Sequence, residues 1–177
     1  MNVKIIPVGY LQANCYIIEK NNKCLIIDPG DEADKIIKEI SNLKPVGIII
    51  THYHSDHIGA LNEIKNKYNL KVYDINNMNE GTNKIDDFLF EVIYTKGHDN
   101  TCITVYFMNE KLMFTGDFLF KDSIGRIDLF NSNHDDMVES IAKIKKYPGD
   151  ILVYPGHGYF TKLEFEKEHN YYFNNQF

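Results

Sequence analysis

The sequence predicts an α/β fold in which short strands alternate with amphipathic helices. The chain opens with three apolar, strand-like runs. Beyond them, segments with apolar residues at three- and four-residue spacing, which is typical of helices, alternate with further strands. A length of 177 residues with 44% hydrophobic residues can support a substantial core. We therefore predict one domain over residues 1–177, with strands in two groups that fit two packed sheets and helices outside them.

The N-terminal third is predicted to contain most of one sheet. The first strands span Val3 to Val8, Asn14 to Glu19 and Cys24 to Asp28, and Asn21-Asn22 supplies a hairpin turn. A helix over Glu32 to Leu43 follows, because its apolar residues fall on one helical face. The apolar run Val46 to Ile50 then predicts a buried strand.

The remaining elements follow from the same two periodicities. Helices are predicted over Ile58 to Tyr68, Asp135 to Lys146 (capped by Asn133 or His134) and Leu163 to Tyr172. Strands are predicted over Lys71 to Ile75, Phe88 to Tyr94, Cys102 to Met108, Lys111 to Thr115 and Ile151 to Tyr154. A polar loop is expected around Asn76 to Asn83.

Composition excludes several classes of function. The net charge is −6 and the basic residues are scattered, which argues against nucleic-acid binding. No apolar run approaches the roughly 20 residues that cross a bilayer, and the N-terminus lacks the features of a signal peptide. The cysteines Cys15, Cys24 and Cys102 form no CxxC pair, which is typical of buried thiols in a reducing compartment. We therefore expect a cytoplasmic protein.

The segment Thr51 to His57 carries the strongest chemical signal. It places His52, His54, Asp56 and His57 directly after the strand Val46 to Ile50. Residues two apart in extended backbone point the same way, so His52 and His54 can reach one ion. Zn²⁺ takes about four ligands in all, and four from one tight turn are more than a single ion needs. The motif therefore favours two ions that share this turn.

Three further candidates follow later strands. His98, Asp117 and His157 each lie just beyond a predicted strand, and each is preceded by a glycine. Glycine lets the backbone approach a crowded site without a Cβ, and strand ends are common positions for ligand and catalytic groups. The alternative for any single histidine is a capping, packing or surface role, but it explains the ordered set poorly.

The HxHxDH motif, the later Gly97-His98, the Thr115-Gly116-Asp117 and the Pro155-Gly156-His157-Gly158 resemble the metallo-β-lactamase fold superfamily. The likeness is greatest to short, glyoxalase II-like (hydroxyacylglutathione hydrolase-like) hydrolases and covers nearly the whole chain. It implies a four-layer αββα sandwich. It also implies that His52, His54 and His98 bind one metal, that Asp56, His57 and His157 bind the other, and that Asp117 bridges them.

By this resemblance, the chain would be a dinuclear zinc enzyme, with Fe or Mn possible in place of Zn. Two zinc ions would hold a bridging hydroxide that attacks a small thioester or related acyl substrate. Asp56 would bind one ion and orient the nucleophile or accept its proton. Asp28 would support the motif by hydrogen bonding, or simply end its strand in a turn.

Two features depart from the family pattern. Relatives often carry a Thr-Pro-Gly-Ser-like sequence after the third-ligand histidine, whereas this chain has Asp99-Asn100-Thr101-Cys102. Only about twenty residues follow Gly158, too few for the C-terminal glutathione-binding domain of full-length glyoxalase II enzymes. Arg126 is expected to pair with Asp128 or, alternatively, to hold an anionic substrate.

Other functions remain open at this stage. Persulfide dioxygenases resemble the chain too, and their single iron would be held by His52, His98 and Asp117. A phosphodiesterase of the same fold, or a regulatory protein on an enzyme scaffold, are further alternatives. The aromatic residues Tyr171, Tyr172 and Phe173 would pack on the body or form a contact in a homo-oligomer.

Overall fold

Two β-sheets pack face to face in the computed structural model, which describes residues 1–175 and 177. The first sheet contains, in spatial order, β1 (Asn2–Val8), β2 (Ala13–Lys20), β3 (Lys23–Ile27), β4 (Lys44–Ile49) and β5 (Val72–Tyr73). The second runs from β6 (Gly81–Ile85) through β7 (Phe88–Tyr94), β8 (Ile103–Phe107), β9 (Leu112–Gly116) and β12 (Leu152–Pro155) to β13 (Thr161–Lys162). A small hairpin joins β10 (Leu119–Phe120) to β11 (Ser123–Ile124).

Helices cover the outer face of each sheet. Those on the first sheet are α1 (Ala33–Glu39), α2 (Ser55–Ile58) and α3 (Leu61–Tyr68). Those on the second are α4 (His134–Ile144), α5 (Leu163–His169) and α6 (Tyr171–Asn174). The longest of the described helices, α4, has 11 residues, so each of them is too short to cross a bilayer.

Alternation of side chains along the strands produces the four layers. In β2, Tyr16 and Ile18 face the core between the two sheets, whereas Cys15 and Ile17 face α1 and α3. In β9, Phe114 lies in the central core, and Met113 faces the helices on the other side. Strands that are buried on both faces explain why these runs are apolar throughout. The predicted αββα sandwich is confirmed.

Some predicted boundaries were wrong. The predicted loop around Asn76 to Asn83 ends in strand β6, which pairs antiparallel with β7 at the sheet edge. Its Gly-Thr-Asn-Lys-Ile sequence lacks an apolar pattern because an edge strand is largely solvated. The short strands β10, β11 and β13 were also missed, since two residues carry no periodicity.

Three predicted helices are shorter or divided. The helix predicted over Glu32 to Leu43 ends at Glu39, and the one over Ile58 to Tyr68 is preceded by the separate turn α2. The helix predicted over Leu163 to Tyr172 breaks at Asn170, whose side chain accepts a hydrogen bond from the Tyr172 amide and caps α6. Asn133 caps α4 as predicted, accepting from the Asp136 amide at 3.0 Å.

The strand directions determine where the site lies. β3 and β4 are parallel, β9 and β12 are parallel, and β7 runs the same way as β9 because β8 is antiparallel to both. His57, which follows β4, lies 3.4 Å from Asp117, which follows β9, so the carboxyl ends of the strands in both sheets meet at one edge of the sandwich. The segments that follow them carry Asp28, Thr51 to His57, His98, Asp117 and His157.

Candidate metal centre

The structure brings together all seven predicted metal-binding side chains. After β4 the chain bends at Thr51, is extended at His54 (φ −66°, ψ 145°) and then turns into α2 at Ser55. His52 and His54 therefore lie before α2, whereas Asp56 and His57 lie within it. Loops after β7, β9 and β12 add His98, Asp117 and His157. Two groups of ligand atoms result.

The first group consists of His52, His54 and His98. One ring nitrogen of each lies within 4.8 Å of those of the others. The Nε2 atom of His98 is 3.0 Å from Nδ1 of His54. His52 is fully buried, and His98 is nearly so. Three imidazole nitrogens at this spacing are a typical zinc or iron donor set.

The second group consists of Asp56, His57 and His157, again with ligand atoms within 4.8 Å. The Nε2 atom of His157 lies 3.1 Å from Oδ2 of Asp56 and 3.3 Å from Nε2 of His57. His57 comes from α2 and His157 from the opposite sheet. This group therefore forms only when the two sheets pack together.

Asp117 lies between the two groups. Its Oδ2 atom is 3.6 Å from Nε2 of His98 and 3.5 Å from Nε2 of His157. Its Oδ1 atom is 3.4 Å from Nε2 of His57. One carboxylate thus faces rings of both groups, which is the position a bridging ligand requires.

Two buried atoms in this centre are orphaned. Among the described residues, His52 Nε2 and Asp117 Oδ1 have no hydrogen-bond partner. Buried polar atoms are otherwise satisfied in folded proteins, and both of these point into the cluster. The donor set also matches divalent transition metals. The residues therefore fit a metal site, in agreement with the sequence prediction.

The outer nitrogens of four rings are held by hydrogen bonds. Nδ1 of His57 donates to Asp28 Oδ2 at 3.0 Å, and Nδ1 of His52 lies 3.2 Å from Thr51 Oγ1. Nδ1 of His98 donates to the carbonyl of Arg126 at 2.9 Å, and Nδ1 of His157 donates to the carbonyl of Leu11 at 3.0 Å. Such contacts orient each ring so that its Nε2 lone pair faces the centre.

Asp28 supports the motif and is not itself a donor to the centre. Its ligand oxygen also falls near His52 and His57, but both carboxylate oxygens are engaged. Oδ1 accepts from the Thr51 amide at 2.8 Å, and Oδ2 accepts from the Thr51 hydroxyl as well as from His57. The predicted supporting role is therefore the one that the geometry shows.

The electrostatics of the cluster favour positive charge at its middle. Burial opposes a charge on His57, yet the adjacent carboxylates of Asp117 and Asp28 outweigh it and raise the pKa of His57 to about 10. Burial also disfavours the charged form of Asp117, but His157 and His57 hold the pKa of its carboxyl well below its usual range. Burial lowers the pKa of His52, which keeps that ring neutral. Neutral imidazoles and charged carboxylates are the forms that ligate metals, so a bound cation would take the place of the proton on His57.

Close backbone approach explains two of the glycines. A Cβ at Gly156 would lie 2.1 Å from Asp117 Oδ1 and 2.8 Å from Cε1 of His57, so a side chain there would displace the cluster. At Gly97 (φ +138°) a Cβ would lie 2.5 Å from the Met137 Cα. The glycine before His98 therefore lets α4 pack closely, whereas the glycine before His157 makes room for the site itself.

A cleft of about 280 Å³ adjoins Asp56. Its lining includes Tyr10, Leu11 and Ser55, and the side chains of Tyr10 and Leu11 are exposed. On another side, the Phe120 ring lies 6.2 Å from that of His157. The centre is therefore bordered by apolar groups that a small organic substrate could contact.

The predicted pair of Arg126 and Asp128 is confirmed. Nε of Arg126 donates to Asp128 Oδ1 at 2.9 Å, with both side chains about two-thirds exposed. An exposed pair adds little stability. The backbone of Arg126 matters more, because its carbonyl holds His98.

The sequence missed several residues that build the centre. The side-chain Nδ2 of Asn14 donates to the carbonyls of Pro155 and Gly158 at 3.0 Å each. Its backbone amide donates to the carbonyl of Gly156 at 2.7 Å. These bonds hold the loop that carries His157. The Thr51 hydroxyl contacts both Asp28 and His52 and so links these two side chains. Its place directly before His52 was the one available signal; nothing in the sequence around Asn14 points to the loop.

Comparison with known proteins identifies related metal-dependent enzymes. A family model described as the Metallo-beta-lactamase superfamily matches residues 8–77 and 79–157. A protein of Bacillus subtilis (strain 168) named "Probable metallo-hydrolase YqgX" is 33% identical, over 98% of this chain and 98% of its own. The hydroxyacylglutathione hydrolase GloC of Haemophilus influenzae is 30% identical, over 99% and 100%.

Solved structures show the same fold. The crystal structure of BLEG-1 B3 metallo-beta-lactamase superposes with a TM-score of 0.95 at 30% identity, covering 98% of this chain and 100% of that one. The structure of TTHA1623 in a di-iron-bound form gives 0.88 at 28% identity, covering 96% and 100%.

Proposed function

Because the chain belongs to the metallo-beta-lactamase superfamily, we propose that it is a dinuclear zinc hydrolase that acts on a small thioester or related acyl substrate. One observation carries this proposal. The two groups of ligand atoms share Asp117, whose oxygens lie 3.4 to 3.6 Å from rings of both groups. A single ion would not require seven side chains arranged in this way.

The proposed assignment follows the geometry. His52, His54 and His98 would hold one ion, Asp56, His57 and His157 the other, and Asp117 both. When bound, a pair of divalent cations would polarise the substrate carbonyl and lower the pKa of a water molecule.

The chain's own residues would orient and protect that chemistry. Asp56 is the proposed catalytic carboxylate, because it is the half-buried ligand beside the cleft and can hold or accept a proton there. Asp28, Thr51 and the carbonyls of Arg126 and Leu11 would fix the imidazoles in one orientation. A thiolate leaves without strong protonation, so the site would not need a separate general acid.

A thioester is the proposed substrate for two reasons. The relative named as a hydroxyacylglutathione hydrolase matches the chain at full length, so a chain of this size supports that activity in a relative. The apolar side chains around the cleft also suit a small acyl compound. We further propose the cytoplasm as its location, since all three cysteines are free thiols.

Hydrolysis assays on zinc-loaded protein test this proposal. The wild type should hydrolyse acyl-glutathione and other acyl thioesters, and His54→Ala and Asp117→Ala should each lower kcat/KM by at least about 100-fold. The exposed substitution His169→Ala should leave activity unchanged. Full activity in both metal-site variants would refute the proposal.

An iron-dependent oxygenase is the second candidate. It is favoured by the approach of His52 and His98 to Asp117 Oδ2, at 4.0 and 3.6 Å. The di-iron-bound relative adds that iron can occupy a centre in this fold. Two histidines and a carboxylate are the usual ligands of such iron. Metal content per chain separates the two candidates: one iron with oxygen consumption supports the oxygenase, and two zinc ions without it support the hydrolase.

A further inference from the structure

His54 is held differently from the other four histidines of the centre. The outer nitrogens of His52, His57, His98 and His157 each have a hydrogen-bond partner, as described above. For His54, the Nδ1 atom faces His98, so the outer nitrogen is Nε2. Its side chain is 31% exposed, the largest value among the five. Among the described residues, this ring is therefore the one in the centre whose outer nitrogen is not held by a hydrogen bond.

A buried carboxylate lies close to that outer nitrogen. Oδ2 of Asp99 lies 3.8 Å from Nε2 of His54, and Asp99 is only 4% exposed. This separation is longer than a hydrogen bond, but at such a distance a buried charge orients an N–H dipole strongly.

Asp99 is itself held firmly. Its Oδ1 atom accepts from the Thr101 amide at 2.8 Å and from the Thr101 hydroxyl. Its backbone carbonyl accepts from the Cys102 amide at 3.2 Å. The turn over residues 99–102 therefore fixes one oxygen of the carboxylate and leaves Oδ2 on the side of His54.

We propose that Asp99 is a positioning residue for His54. By holding this ring in place, it would strengthen the binding of the ion held by His52, His54 and His98. A carboxylate behind a ligating imidazole restricts the ring and raises its basicity. This residue occupies the position where the family resemblance leads us to expect threonine, which cannot supply a charge. The effect belongs to this chain's own sequence and rests on the proposed metal site.

Zinc affinity tests this directly. Chelator-stripped wild type, Asp99→Asn and Asp99→Glu are titrated with Zn²⁺ against a chromophoric chelator, and Co²⁺ spectra are recorded in parallel. Asparagine keeps an oxygen for Thr101 but removes the charge. Asp99→Asn should therefore lower the affinity for one of the two ions by about 10- to 100-fold and leave the affinity for the other unchanged. The Co²⁺ absorption of one equivalent should shift.

The controls distinguish positioning from folding. Asp87→Asn, the same change at the β6–β7 turn, where the carboxylate pairs with Lys23, should bind zinc like the wild type, and Asp99→Glu should recover most of the lost affinity. Equal affinities within about threefold in the wild type and Asp99→Asn would overturn this inference alone, as would equal losses in Asp99→Asn and Asp99→Glu. A wild type that binds no zinc would overturn the proposed function as well.

Discussion

Oδ2 of Asp28 lies 3.0 Å from Nδ1 of His57, and this contact ties the end of β3 to the second ligand group. The same carboxylate accepts hydrogen bonds from the amide and the hydroxyl of Thr51, which directly precedes His52. One buried residue therefore orients rings of both groups. Its backbone is left-handed (φ +50°), a conformation that aspartate and asparagine tolerate.

Asp28→Asn should lower the zinc affinity of the group formed by Asp56, His57 and His157. The amide can still accept from the Thr51 backbone, but it presents a donor where His57 needs an acceptor. Loss of such a supporting contact reduces metal affinity by about 10- to 100-fold. Competition titration measures the change. Asp86→Asn, the same substitution at the same φ of +50° in an exposed turn, should have no effect.

Gly156→Ala should remove metal from a folded protein. The added Cβ would meet Asp117 Oδ1 at 2.1 Å, so the bridging carboxylate must move. Two residues away, Gly158 (φ +74°) has open space around a Cβ, so Gly158→Ala should cost about 1 kcal/mol from backbone strain and keep its metal. Metal analysis and urea unfolding of both variants check this. Full metal content in Gly156→Ala would contradict the geometry.

The three cysteines should not react with a thiol reagent in the native protein at pH 8. Burial raises the pKa of the Cys24 thiol to about 12 and raises those of Cys15 and Cys102 as well. Only the thiolate is nucleophilic. Labelling with Ellman's reagent should therefore detect almost no thiol before unfolding and three afterwards.

The same pKa shifts predict how stability depends on pH. Unfolded thiols ionise near pH 8.5, whereas the folded ones resist ionisation because their pKa values are raised. The cysteine contribution to the free energy of unfolding should therefore be complete below about pH 8.5 and decline as the pH rises toward 12. Denaturant titrations of the wild type and Cys24→Ala at pH 7.5 and 10 measure this. The wild type should lose more stability than the variant between these two pH values. An equal loss would show that the pKa of the Cys24 thiol is not raised in the folded protein.

Glu166→Ala should destabilise the fold by roughly 3 kcal/mol. This glutamate is fully buried in α5 and accepts from the Asp122 amide, the Thr161 hydroxyl and the Asn170 amide group at 2.6 to 2.9 Å. Its removal leaves several buried donors unsatisfied. Urea unfolding measures the loss. Glu168→Ala in the same helix, with its side chain 64% exposed, should change stability little.

The N-terminal strands and the central core were predictable because their signals are local. Tyr16 and Ile18 alternate with Cys15 and Ile17, and each set lies in a different core layer. Strand β6 escaped prediction because its partner β7, and not its own residues, makes it a strand. The break at Asn170 was hidden for a related reason: a capping side chain interrupts an otherwise helical pattern.

The sequence by itself identified the seven candidate side chains that the structure brings together, because His52, His54, Asp56 and His57 are adjacent and the other three each follow a strand. The family resemblance already implied how they divide into two groups, and the tertiary structure alone decided what holds each ring. Leu11 and His157, for example, are 146 residues apart, yet one hydrogen bond joins them. Such contacts depend on how two sheets pack, and no local pattern in the chain encodes that.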